Sequence, residues 1–481
     1  MKITRHTTQS FGLSICLGLF ANSTSAQLEG LDDPFLFEFQ NTTPALVTDR
    51  HITARMAGYR ALHYCTGIFT GDLNESQLEE SMSRRGVQSA QTIIDREKKT
   101  VSVAYASDME PRIAAWRPGL GCTQLPIGAS LDLIDSLPRF QPSVEIPNFD
   151  NQPWPMGDRD AKASLPAEKE TAVNAVLDEA FRNAEGEYGG HTWGVVVVKN
   201  GRIVAERYEN GWNMHNPSRT NSMCKSISAS LVGVAVRDGL VDIHSKTPLD
   251  AWRSEGDPRA EITLNNLLQM ASGLYTQGGR NPQIELYGSG APPSEVSVYT
   301  VVDSRPGDRY VYAGSDTIMA TMAVREALND DASWYSFPYE EFLWKLGMTR
   351  TTLETDWKGD FLISGQCWST ARDFGRFGML YLADGVWNGE QLLPEGWSDY
   401  VSTLAAAQPG SYHEGGRGYG AQFWIYDGLE GLPKAYTPAG AAGQYGMIIP
   451  SADLVVVRRG FDFDGGFNIA RFSADVMNAL D

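Results

Sequence analysis

The chain has 481 residues, enough for about three domain-sized units or one large enzyme with added lobes. Hydrophobic residues make up 42% and charged residues 21%, which excludes a disordered or low-complexity chain. A formal net charge of −19, with no block of Lys and Arg, argues against a nucleic-acid partner or an anionic membrane surface.

In chain order, residues 1–26 read as a leader. Lys2 and Arg5 precede the apolar "FGLSICLGLFA", and Thr24 and Ala26 are small, so cleavage after Ala26 and export to a periplasm or the medium are expected. The apolar stretch is too short to span a bilayer, and no later segment is long and apolar enough to do so. Residues 27–165 form an N-terminal lobe of irregular pattern, closed by a Pro- and Gly-scattered linker, "IPNFDNQPWPMGDRD". Of the five cysteines, cleavage removes Cys16, and the remaining four allow three full pairings. Cys65 and Cys122 share the lobe, each beside Gly and apolar residues, and are the expected disulfide, worth ~4 kcal/mol by loop-closure entropy. Cys224 and Cys367 are expected to be small core residues with free thiols.

Residues 166–481 have a different character. "AEKETAVNAVLDEAFRN" carries Val173, Val176, Leu177, Ala180 and Phe181 on one helical face. "HTWGVVVVKNGRIVAERY" is two β-rich runs joined at Asn200-Gly201, a hairpin signal; its first run is apolar on both faces, so layers must cover each side of the sheet. Further strands are expected only in "GAQFWIY", "QYGMIIP" and "DLVVVRRG", ahead of a closing amphipathic helix. The middle, from about 215 to 415, reads as mostly helical. The fold class expected is α+β: an antiparallel sheet flanked by N- and C-terminal helices, with a large helical insertion and an irregular N-terminal lobe.

Within "TNSMCKSISASLVGVAVRDG", Asn221 or Ser222 is placed to cap a helix that Gly239 stops. Ser222 and Lys225 are three apart in its first turn and leave one face. A lysine ammonium meets the unfavourable end of the helix dipole there, and dipole and burial both lower its pKa toward the neutral amine that a base must be. An S-x-x-K pair is also what a capping serine beside a solvated lysine looks like. Two downstream pieces add weight: "PGDRYVYAGSDTIMA", with Tyr310 and Tyr312, and "YTPAGAAGQYGMIIP", a Gly-rich stretch before a strand.

Together these pieces resemble the serine β-lactamase and penicillin-binding-protein superfamily, and within it the class C-like hydrolases and esterases that include 6-aminohexanoate-oligomer hydrolases. The resemblance covers about residues 166 to 478 and extends to "EITLNNLLQMASGL", "LGMTRTTL" and "STARDFGRFGMLYL". It implies Ser222 as nucleophile, Lys225 as its partner, Tyr312 as the tyrosine of Y-x-N sharing proton transfer, and the backbone N–H groups of Ser222 and Ala441 as the oxyanion donors. Chemistry of this kind, acyl transfer through an acyl-enzyme on Ser222, requires no metal and no cofactor.

Two departures bear on substrate. Pro438-Ala439-Gly440 stands where the family has K-T-G or H-T-G, so the lysine or histidine often used to hold a carboxylate is missing. Gly314 replaces the Asn of Y-x-N, with Ser315 or Asp316 as nearby polar groups. Gly314, Ser315, Gly440, Gly443 and Gln444 are the expected substrate contacts, although Gly443-Gln444 equally fits close backbone packing before a strand. A small-molecule or oligomeric ester or amide outside the β-lactams is the expected substrate. The alternatives are a DD-peptidase or β-lactamase, and a non-catalytic cell-wall-binding protein on the same fold. There is no G-x-S-x-G elbow and no H-E-x-x-H, and the seven histidines are scattered. Met270 and Trp193 read as core, and Trp368 as a further cleft candidate.

Overall fold

The computed structural model describes residues 44–84, 90–276, 283–462 and 466–481. The leader-like segment and Cys16 lie outside them. Residues Thr48–Asp481 form one compact unit, distinct from Met1–Val47. No helix among the described residues is long and apolar enough to cross a membrane.

The N-terminal stretch departs from the irregular lobe expected. It contains helix α1 (Pro44–Phe69), helix α2 (Glu75–Arg84) and a four-stranded antiparallel sheet of β1 (Thr92–Asp95), β2 (Thr100–Val103), β3 (Arg112–Arg117) and β4 (Gly121–Gln124), paired in sequence order. Strands this short carry too few alternations to register as a pattern: β2 is Thr-Val-Ser-Val, with Val101 and Val103 buried. Cys65 on α1 and Cys122 on β4 are joined by a disulfide, with Cα atoms 6.0 Å apart, among Leu62, Leu78, Met82 and Val101. The presumed linker is also fastened. Arg376 donates to the carbonyls of Pro155 at 2.6 Å and Gly157 at 2.8 Å and to Asp158, so this segment is held by a buried guanidinium.

Helix α3 (Ala167–Phe181) buries Val173, Leu177 and Ala180, the face expected. It leads into β5 (Thr192–Lys199) and β6 (Arg202–Tyr208), joined by Asn200 and Gly201 at φ of +49° and +72°, left-handed values that the Asn-Gly pair tolerates. The sheet runs, edge to edge, through Gly418–Tyr419, Trp424–Ile425, Tyr436–Thr437, Gln444–Ile449, Leu454–Gly460, β5 and β6, all antiparallel. Its centre is therefore made of strands from opposite ends of the unit. Alternate residues sort cleanly between two cores. Val195, Val197, Leu454 and Val456 pack beneath α3 and the closing helix Ile469–Leu480. Val196, Val198, Val455 and Val457 face the helical block. A strand buried on both faces needs a layer on each, and both layers are present.

The helical block contains α4 (Cys224–Arg237) and the helices Gly314–Leu328 and Ala371–Leu382, but its other helices are short and separated by long connections, so the middle is less helical than its composition reads. Cys224 at the start of α4 is bonded to Cys367, with Cα atoms 5.9 Å apart and a sequence separation of 143. This corrects the expectation of free thiols. Strand Ser218–Arg219 pairs with Cys367–Ser369, and Thr220 N donates to Cys367 O at 2.9 Å, which brings the two cysteines together across a distance in sequence that no local pattern reveals.

Leu177→Ala, in the fully buried face of α3, is expected to lower unfolding free energy by about 2–5 kcal/mol. Glu170→Ala on the exposed face of the same helix should stay within about 0.5 kcal/mol of the parent in urea denaturation.

Candidate active site

Residues Asn221–Met223 form a single 3-10 turn that runs directly into α4. Neither Asn221 nor Ser222 caps the helix with its side chain, contrary to expectation. Asn221 adopts a left-handed φ of +49°, and its Nδ2 donates to Ala441 O at 2.7 Å. The residue before Ser222 thus ties the turn that carries Ser222 to the Gly-rich loop across the groove.

One turn into α4, Lys225 is 1% exposed, with Nζ 3.4 Å from Ser222 Oγ and donating to Ser364 O at 2.6 Å. Among the described residues no carboxylate pairs with it. Burial alone, without a counter-charge, brings its pKa down from 10.5 to about 7. Close to neutral pH this amine is therefore populated in the uncharged form, able to accept a proton from the hydroxyl beside it.

Tyr312 arrives from a separate element. It lies two residues before the helix Gly314–Leu328, which is bound to α4 through Ser228 Oγ to Thr317 O at 3.2 Å. Met270, at φ +57°, holds the residues on either side of Tyr312: its carbonyl accepts from Val311 N at 2.9 Å and its Sδ from Ala313 N at 3.3 Å. Lys225 Nζ sits 5.0 Å from the centroid of the Tyr312 ring. Burial raises the phenol above its ordinary pKa, while a hydrogen bond with Ser222, the charge of Arg417 and a hydrogen bond with Trp424 pull the other way. The phenol stays protonated at neutral pH, which suits a donor.

The third piece is the edge Ala439–Gly440, paired with Gln444 and Tyr445. Pro438, which has no N–H, interrupts this edge between Tyr436–Thr437 and Ala439–Gly440. A methyl group on Gly440 would lie 3.0 Å from Ser222 N and 3.1 Å from Met223 N, and would press on Thr220 O. Only glycine lets this edge come so close to the turn that carries Ser222. The cleft so formed, about 460 Å³, is lined by Ser222, Tyr312, Gly440, Ala441, Gly443, Arg417, Trp424 and Tyr445, among others. A larger open cleft of about 650 Å³ lies around Arg325, Asp331 and Asp360, whose side chains pair with one another.

Of the expected contacts, Gly440 and Gly443 line the cleft; Gly314, Ser315 and Gln444 are buried and do not. Gln444 is turned inward: its Nε2 donates to Ala442 O at 2.8 Å and to Gly460 O, and its Oε1 accepts from Arg459 at 2.8 Å. It props the loop rather than facing a ligand. Ser315 starts a helix packed into the core, and Asp316 bonds Ser272 Oγ at 3.0 Å. Trp368 is also away from the cleft, buried against His63. Sequence reasoning missed Arg417, just ahead of strand Gly418–Tyr419, Trp424 on the strand after it and Tyr445 on Gln444–Ile449, and Ser364, which accepts from Lys225 through its carbonyl and so has no residue-type signal. The arginine inside "GRGYGAQFWI" is the one that its Gly-rich setting ahead of a strand flags.

A family model described as Beta-lactamase matches residues 177–458. No curated protein matches the chain. Among solved structures, it is similar to a Bacillus anthracis protein described as a 6-aminohexanoate-dimer hydrolase, with 21% identity, a TM-score of 0.51, and 71% of this chain and 87% of that one covered. A Bacteroides dorei protein described as a β-lactamase gives 20% identity and a TM-score of 0.52 over 64% and 98% of the two chains. A family VIII carboxylesterase gives 15% and 0.51 over 66% and 98%. At these identities the likeness is one of fold.

The pKa of Lys225 sets a pH dependence. Below about pH 7 the amine is charged and cannot accept a proton, so labelling of Ser222 by a fluorophosphonate should rise with pH to a plateau, half-maximal near pH 7. A rate that is flat or falls with pH between 5.5 and 8.5 contradicts this. The depressed value also means that the unfolded chain holds this proton when the native one does not. The stability contributed by this group therefore rises with pH between about 7 and 10.5.

Proposed function

The chain belongs to the β-lactamase family, whose model spans residues 177–458, and on that premise we propose that it is an exported serine hydrolase cleaving a non-β-lactam ester or amide through an acyl-enzyme on Ser222. The observation that carries this reading is a hydroxyl 3.4 Å from a fully buried amine with no counter-charge among the described residues. A lysine with a solvated, charged side chain would be no base; this one is held where neutrality is favoured.

In the proposed cycle Ser222 Oγ passes its proton to Lys225 Nζ and bonds to the substrate carbonyl carbon. The carbonyl oxygen becomes an oxyanion, stabilised by the main-chain N–H groups of Ser222 and Ala441, each such donor being worth about 3–4 kcal/mol. As the intermediate collapses, the bond to the leaving alcohol or amine breaks, and that group takes a proton from the Tyr312 phenol, which Lys225 restores. Water then attacks the acyl-Ser222 carbonyl, losing its proton to the same pair, and the acid product leaves with Ser222 restored. Asn221 steadies Ala441 in this scheme through the hydrogen bond to its carbonyl.

Export is supported by the leader-like pattern of residues 1–26 and by the pairing of Cys65 with Cys122 and of Cys224 with Cys367, bonds that persist in oxidising compartments. The preference against β-lactams is supported by Pro438, which leaves the strand edge without the cation that the family motif places there.

Ser222→Ala is expected to abolish hydrolysis of p-nitrophenyl butyrate and labelling by a fluorophosphonate; residual turnover at the parental rate refutes the nucleophile. Tyr312→Phe should lower kcat by about 100-fold or more with the fold intact by circular dichroism. Nitrocefin should be turned over far more slowly than p-nitrophenyl butyrate, and the reverse order would favour a β-lactamase.

A further inference from the structure

The loop that brings Ser364 O to Lys225 is closed on itself. Leu353 pairs with Cys367, Glu354 N donates to Gln366 O at 3.1 Å, and Leu362 N donates to Glu354 O at 2.9 Å. Three separate polar bridges join this loop to the layer of α1 and β1–β4, which precedes the stretch matched by the family model. In the first, the Arg219 guanidinium lies 4.9 Å from the ring centroid of Tyr59 on α1 and 5.8 Å from that of Tyr287, and donates to Tyr59 Oη at 2.5 Å and Gly365 O at 3.1 Å. In the second, the buried Arg112 of β3 donates to four carbonyls: Ala54 at 2.8 Å and Leu125 at 2.9 Å within the layer, and Gly288 at 2.9 Å and Ser289 at 3.0 Å at the end of helix Gln283–Gly288. That helix presents the Tyr287 hydroxyl to Leu362 O at 3.3 Å and to Ser364 Oγ. In the third, the buried Glu354 accepts from Thr66 Oγ1 of α1 and Cys122 N of β4, each at 2.6 Å, and from Gln366 Nε2 at 2.5 Å.

We propose that this N-terminal layer is a positioning element of the active site, with Tyr59 and Thr66 as positioning residues that hold the Ser364 carbonyl against Lys225. The assignment rests on the hydrolase function proposed above and gives it residues that touch no substrate. A single bridge would suffice to dock the layer. All three instead end on the loop around Ser364: at the carbonyl of the next residue, at the hydroxyl of Ser364 itself, and at Gln366 through Glu354. Because Ser364 O is the acceptor that Lys225 Nζ meets at 2.6 Å, fixing this loop fixes the amine. Among the groups about Lys225, Ser222 and the Tyr312 ring face it directly. Tyr287, Arg219 and Glu354 act on it through the 362–366 backbone they hold. Loosening that backbone admits water to the enclosure, and a hydrated amine regains basicity, so the pKa climbs from about 7 toward its ordinary 10.5.

The competing role is docking alone, in which these contacts stabilise the fold and leave the amine as it is. Tyr59→Phe removes an acceptor of Arg219, and Thr66→Val removes a donor to Glu354 at nearly the same volume; neither residue lines the cleft. The readout is the pH dependence of Ser222 labelling by a fluorophosphonate. Each variant should move its midpoint up by about one unit. Labelling at about pH 6 then falls about 10-fold, while the plateau above about pH 9.5 stays within about twofold of the parent. Leu177→Ala, buried in α3, is the control: it should lower the melting temperature and leave the midpoint where the parent has it. Midpoints unmoved or lowered in both Tyr59→Phe and Thr66→Val, whatever their melting temperatures, overturn the proposal. A second readout is independent of the reaction. The ¹³Cε resonance of Lys225, assigned by its loss in Lys225→Met, should titrate near pH 7 in the parent and about one unit higher in the two variants. If Ser222 of the parent is not labelled while this titration still moves, the hydrolase reading fails and the positioning of Lys225 by the layer stands. If labelling of the parent rises through about pH 7 and neither variant shifts it, the hydrolase reading stands and the positioning role fails.

Discussion

Enclosing an amine without a counter-charge is the constraint on which this architecture turns. Lys225 leaves water completely, and its one strong partner is the carbonyl of Ser364 at 2.6 Å. Desolvating an ammonium is costly, so the group answers by holding its proton weakly. Everything around it keeps that enclosure tight: α4 supplies the lysine, the segment 362–369 its acceptor, and the segment leading into the helix Gly314–Leu328 the tyrosine that faces it. A water-filled gap at any of these joints would return the amine to its ordinary basicity and remove its use.

The joints are fastened by groups that contribute no chemistry themselves. The Cys224–Cys367 bond links the residue before Lys225 to the strand that follows its acceptor. Tyr287 hydrogen-bonds Ser364 Oγ and Leu362 O, and Arg219 donates to Gly365 O at 3.1 Å and to Tyr59 Oη on α1 at 2.5 Å. A connected path of polar contacts therefore runs from the N-terminal helix to the carbonyl that receives the lysine. Glu354 extends the same support. Buried, and with its pKa raised to about 7 by desolvation, it accepts from Thr66 Oγ1 and Cys122 N. The N-terminal segment is in this sense part of the wall behind the site.

What was legible in the sequence was whatever is written locally. The apolar face of α3, the Asn200-Gly201 turn and the two-sided valine run of β5 each need only neighbouring residues, and the structure has them. The grouping of Ser222, Lys225 and Tyr312 was legible through motif spacing, which carries the memory of a fold. The rest is set by contacts distant in sequence. Cys224 and Cys367 meet through strand pairing that no window of residues contains. Gln444 reads as a ligand contact because it follows a Gly-rich loop, yet Arg459 and two carbonyls draw it inward. Arg417 gains its place in the cleft from the ring of Trp424 and the hydroxyl of Tyr426. Three of the four strands of the N-terminal sheet have four residues, too few for alternation to stand out from chance.

The centre of the main sheet has a consequence for how the molecule comes to exist. β5 finds its hydrogen-bonding partner in Leu454–Gly460, more than half the chain later, with Lys199 opposite Leu454. Until those closing residues have been synthesised, the valine run has one edge unsatisfied and its faces only partly covered, the condition under which exposed strands aggregate. Pairing of this edge is thus deferred until residues 454–460 have been synthesised, and a holding chaperone has its natural target in residues 192–199.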